Sequence, residues 1–216
     1  MIASASLDSI VFHIANTLRV PVLVAAIAAL AWVVIEVGSL AVELFKRRGR
    51  NPVVVERATR AAREALASGD EPLATRHLVA LAPSRAMRSV FGRIIAAVAS
   101  APVDQSLVAM NLADFDLSSL RRLERTRLLV RAGPALGLMG TLIPLSPALG
   151  ALAGGNVNVL TEKLRVAFSV TVVGLLVGVV AFGISLVRDR IYAQDLSVVE
   201  FVTAELETAA PAEATR

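Results

Sequence analysis

The chain of 216 residues contains no cysteine, one tryptophan, one tyrosine and two histidines. Without cysteine there is no disulfide framework and no thiolate metal site, and the redox compartment leaves no mark on the sequence. His13 and His77 are too far apart in sequence to form a paired-ligand motif. No Gly-rich phosphate loop with a following lysine, no zinc-binding histidine pair and no nucleophile elbow is found. The expectation is a protein that is not an enzyme and needs no cofactor. Aromatic residues are also scarce, at 4% of a chain that is 56% hydrophobic. The excess is Ala, Val and Leu, which is not the mix of an ordinary globular domain.

Those aliphatic residues are gathered into three runs. Residues 134–153 and 166–187 carry no charge at all, and residues 20–42 carry only Glu36. A helix rises 1.5 Å per residue, so about 20 residues cross a hydrocarbon core of roughly 30 Å. Backbone inside lipid must satisfy its own hydrogen bonds, so each run reads as a transmembrane helix. Gly154, Gly155, Asn156 and Asn158 form the short turn between the last two, which makes that pair a hairpin.

Small residues are placed unevenly within the hairpin. Ala167, Thr171, Gly174, Gly178, Ala181 and Ser185 recur every three or four residues, on one helical face. Gly133, Gly137, Gly140, Pro144, Pro147 and Ala151 make a matching stripe in the preceding helix, with Thr141 beside it. Lipid has no need of small side chains, whereas close helix–helix contact does. Two readings stand: the stripes pack helices within one bundle, or Thr141, Ser169 and Thr171 turn hydroxyls towards a polar lumen or a partner helix. A hydroxyl in lipid also bonds back to a carbonyl one turn earlier, so position alone does not decide. The two prolines predict a kink.

Glu36 is the ionisable residue set inside a run, and a carboxylate there is a functional candidate by its cost. The other reading has Glu36 and Glu43 reaching water near the cytoplasmic end, or pairing with Lys46 and Arg47. Of the 22 Lys and Arg residues, 19 lie in 46–131, 188–190 and at the C-terminus. By the positive-inside rule these regions are cytoplasmic, and the N-terminus and hairpin turn are outside. Topology thus explains the charge of +4 and the basic pI without a nucleic-acid partner, for which no motif is present.

The rest of the chain reads as helical. Residues 1–18 form an amphipathic surface helix with Leu7, Ile10, Val11, Ile14 and Leu18 on one side. Between the first two spans, breaks at Ser68-Gly69-Asp70, Pro83 and Pro102 separate short helices, with Ser84 suited to cap one of them. A helix from Leu117 runs into the second span, and its Arg121, Arg122, Arg125 and Arg127 anchor it and offer a surface to anionic lipid. The predicted layout is an all-α membrane protein: an external amphipathic helix at 1–18, spans at 19–45, 132–153 and 163–187, a cytoplasmic helical insertion at 46–131, an external loop at 154–162, and a cytoplasmic helix and tail at 188–216.

The runs RAGPALGLMGTL (131–142) and AFSVTVVGL (167–175) resemble those of the MotA/TolQ/ExbB proton channel family. The order of spans and cytoplasmic segments looks like its ExbB/TolQ-like branch. The resemblance implies an inner-membrane subunit in a homo-oligomeric ring, a homopentamer as a rule, around an ExbD/TolR-like single-span partner that carries a membrane Asp. Proton flow past that Asp would drive relative motion, so that proton-motive force does work. Thr171 matches the lumen-lining threonine, and Gly140-Thr141 matches the Gly-Thr of the penultimate span. Two positions depart from the pattern: Ala132 stands where a Thr is common and Val166 where a Glu is common. A ring of this chain would then leave protonation chemistry to the partner. The competing reading is a non-conducting scaffold that anchors a partner protein. A solute transporter is disfavoured, because the three spans show no internal repeat.

Overall fold

The computed structural model describes residues 10, 12–48, 51–100 and 103–208. Residues 1–9 and 11 of the expected N-terminal amphipathic helix, and the 209–216 tail, lie outside them. Helix is the main structure among the described residues, with no strand among them. Six helices follow in order: α1 (Arg19–Arg47), α2 (Pro52–Ala67), α3 (Glu71–Leu81), α4 (Arg85–Ala99), α5 (Gln105–Ala153) and α6 (Val157–Glu207). Three helical stretches, Phe12–Arg47, α5 and α6, are long and apolar enough to cross a membrane. Two compact units divide the chain, one built from residues 1–39 and 124–186, the other from 40–123 and 187–216.

The first unit is the hairpin of α5 and α6 with the apolar part of α1. Its chain reversal is a Schellman closure. The Asn156 amide donates to the Ala151 carbonyl at 2.9 Å, and that of Gly155 donates to Leu152 at 2.9 Å. Gly155 has φ +76°, a conformation open to glycine and costly to most other residues. Asn156 then starts α6, its Oδ1 accepting from the Val159 amide at 3.2 Å. The predicted turn is therefore three residues, and α6 begins at Val157, earlier than the apolar run alone suggests.

The second unit has its own apolar core. Leu78, Met87, Phe91, Ile94, Phe115, Val199, Val202 and Leu206 are buried in it. Its helices are set by caps at the predicted breaks. Asn51 accepts from the Val53 amide ahead of Pro52, and Asp70 accepts from Leu73 at 2.9 Å. Gly69, at φ +78°, closes α2 with the same pair of bonds that closes α5. Ser84 accepts from Met87 at 3.1 Å. Replacing Ser84 by Ala is expected to cost about 1 kcal/mol, the usual loss of an N-cap, read as a lower midpoint in denaturant melts of the detergent-solubilised protein.

The start of α5 differs from expectation. The helix begins at Gln105, twelve residues ahead of Leu117, because Asp104 caps it. The Ser106 hydroxyl (2.6 Å) and the Leu107 amide (2.9 Å) both donate to Asp104 Oδ1. Those bonds, the Ser106 hydroxyl first, hold the Asp104 carboxyl below the usual range. The cap is thus at full strength at neutral pH and is lost as acid takes the pH down through that lowered value. Nor does the helix end at its prolines. It continues through Pro134, Pro144 and Pro147, which membrane helices tolerate where neighbours re-satisfy the freed carbonyls.

Candidate functional site

In the first unit the two small-residue stripes meet. Gly133, Gly137, Gly140, Gly174 and Gly178 are all buried. They bring the backbones of α5 and α6 into contact. A Cβ added at Gly174 would lie 2.5 Å from the Gly133 carbonyl oxygen and 2.7 Å from the Gly137 Cα. One added at Gly133 would lie 2.7 Å from the Gly174 oxygen and 2.8 Å from the Gly178 nitrogen. At the next crossing Gly140 leaves room for the Val170 side chain, and Gly178 for the Pro134 ring. Pro134, inside the helix, is thus a packing element.

Thr171 sits in this seam. Its hydroxyl lies 3.2 Å from the Gly137 carbonyl oxygen across the hairpin and 3.3 Å from that of Ala167 on its own helix, and donates its one proton to this pair. Thr141 and Ser169 are not brought to the same place. Thr141 is half-buried and donates to Leu138 at 2.8 Å, whereas Ser169 is exposed and donates to Arg165 at 2.9 Å.

Helix α1 packs its own stripe, Val22, Ala26, Ala29 and Val33, inward. Glu36 continues that stripe and is half-buried. The Trp32 indole N–H donates to Glu36 Oε1 at 3.2 Å, so the chain's lone tryptophan serves the carboxylate one turn away. Near the other end of α1, Arg19, Val22 and Leu23 line a cavity of about 10 Å³ with Gly140, Ile143, Pro144 and Val166. Val166 therefore lines a small, mostly apolar niche.

The second unit contains a charged cluster in which the expected Glu43–Arg47 pairing is joined by Asp195 and Arg188, which the sequence did not single out. Arg47 and Asp195 form a two-pronged ion pair, Nη1 to Oδ1 at 2.7 Å and Nη2 to Oδ2 at 2.6 Å. Their side chains are 11% and 3% exposed. Glu43 joins from one turn earlier at 3.4 Å from Arg47, and lies 3.8 Å from the buried Arg188. Leu40, Leu123, Ile191 and Tyr192 pack together in the same unit. One signal was available in the sequence. Arg188, Tyr192, Asp195, Val199, Val202 and Leu206 fall on a single three-to-four stripe, so Asp195 stands where the helix buries itself.

Neither a curated protein nor a solved structure matches the chain. Residues 105–199 match the MotA/TolQ/ExbB proton channel family, so both strips of the glycine seam lie inside the stretch through which this chain is similar to that family.

Proposed function

We propose that the chain is a stator-type proton-channel subunit that works as a homo-oligomeric ring, a pentamer, in the cytoplasmic membrane. It would couple proton-motive force to mechanical work through a single-span, ExbD/TolR-like partner with a membrane Asp. The observation that carries this reading is Thr171, held in the Gly137–Gly174 seam inside the matched stretch. A partner carboxylate in an apolar lumen is neutral when shielded, because desolvation raises its pKa, and ionises where hydroxyls and water solvate it. The membrane potential supplies about 2.3 kcal/mol per charge per 100 mV, enough to bias such a step. The N-terminus is outside and the second unit cytoplasmic in this arrangement.

A second reading has support of its own. The hydroxyls of Thr141, Ser169 and Thr171 all donate to backbone carbonyls of this chain. Hydroxyls so engaged suit a non-conducting scaffold. Purification with the protein encoded alongside, followed by acid-driven flux in vesicles, separates the two. For the channel, Thr171→Ala cuts flux at least tenfold with the subunit count unchanged, and Thr171→Ser retains most of it. Flux indifferent to Thr171→Ala, or no flux from the intact complex, leaves the scaffold.

A further inference from the structure

The second unit leaves two features unfilled. Between α2 and the end of α6 runs a groove of about 930 Å³. Val55, Val198 and Phe201 line its apolar part, and Phe201 is 42% exposed. Its rim carries charges in exposed pairs, Arg60 with Glu56 at 3.2 Å and Arg63 with Glu205 at 3.6 Å. The second feature is a ridge. On α5, Val108, Asn111 and Phe115 are buried, while Met110, Leu117 and Leu120 are exposed on the face away from them and Leu107 is exposed at its edge. A row of large apolar side chains outside the membrane runs calls for a cover. Groove and ridge share no residue.

We propose that the groove of one copy receives the α5 ridge of the next copy. This deepens the ring reading above and rests on it. Charge spacing selects the fit. Asp114, 3.8 Å from Arg93 of its own chain, and Arg121 lie on α5 seven residues apart, and Glu56 and Arg63 lie on the rim seven residues apart, so docking would exchange exposed pairs within one copy for pairs between copies. Both intervals are two helical turns, about 10.5 Å. With α5 antiparallel to α2, Asp114 meets Arg63 while Arg121 meets Glu56. The parallel setting would oppose like charges.

The same orientation follows from the chain's own geometry. Arg47, just ahead of α2, pairs with Asp195, and Arg63 near its end pairs with Glu205, so α2 runs in the direction of α6. Helix α5 precedes α6 through a tight reversal and runs the opposite way. Rotation about an axis along the helices keeps that sense in every copy. Complementary patches on separate faces of one chain make a head-to-tail contact, which closes into a ring when the rotation allows.

Because the chain has no cysteine, introduced thiols report without background. In this register Leu117 falls beside Phe201. Full-length copies with Leu117→Cys alone and copies with Phe201→Cys alone are co-expressed, and membranes are treated with a short bis-maleimide. The expected result is a cross-linked dimer from the mixture and none from either alone, with the double variant giving a ladder up to the full ring. Asp114→Arg should lower the yield about tenfold, and adding Arg63→Asp should restore it. If the purified protein is oligomeric by mass yet the mixture does not cross-link, or Phe201→Cys captures a different polypeptide, the docking is wrong and the ring stands. A monomer by mass overturns both.

Discussion

Gly174→Ala is expected to destabilise the protein while Gly183→Ala, nine residues on in the same helix, does not. Both substitutions gain the same helix propensity, about 1 kcal/mol over glycine. They differ in what the new methyl meets. At Gly183 nothing lies within 4 Å, whereas at Gly174 it meets the backbone of Gly133 and Gly137 at 2.5–2.8 Å. Side chains can rotate away from an intruding methyl, but backbone atoms cannot, so α5 and α6 must separate. Overpacking of this kind costs about 1–3 kcal/mol, and since the propensity gain is common to both variants, that cost is the gap between them. Thermal melts of both variants in one detergent measure that gap. Equal melting temperatures would mean that the seam is not closed in the folded protein.

Asp195→Ala should have a comparable effect for an electrostatic reason. It leaves the Arg47 guanidinium, 11% exposed, with Glu43 at 3.4 Å as its remaining carboxylate among the ion pairs above. Removing one partner of a buried pair costs about 3–5 kcal/mol, whereas replacing both by apolar residues is often neutral. The double variant Arg47→Met/Asp195→Leu is therefore expected to be more stable than Asp195→Ala alone. Denaturant melts of wild type, both single variants and the double variant give the coupling directly. Additive losses would show that the two side chains do not act as a pair.

These two predictions also mark what the sequence made legible. Spacing of three and four placed Gly133, Gly137, Gly174 and Gly178 on faces, and uninterrupted apolar length marked the three helices fit to cross a membrane. Ser84, Gly69 and Pro83 announced the breaks they make, because capping and turn chemistry are local. Register between helices is not local. Nothing in either stripe says that Gly133 meets Gly174, or that Thr171 reaches Gly137, since sliding one helix by a turn leaves both periodicities unchanged. The Arg47–Asp195 pair was hidden more deeply, its members standing 148 residues apart. For Arg47 the sequence offered only a local partner, Glu43 one turn earlier, and only Asp195's place on a buried stripe betrayed the distant one.

The glycine seam has a consequence for how the hairpin yields. Interfaces built from leucine or phenylalanine loosen by degrees, as rotamers exchange and neighbours refill the gaps. Bare main chain against bare main chain has no such repertoire. Gly133, Gly137 and Gly174 bring no torsions to freeze on closure and no alternative fillings on opening. The joint therefore behaves as a hard stop, either shut or parted, and passes on a push without absorbing it.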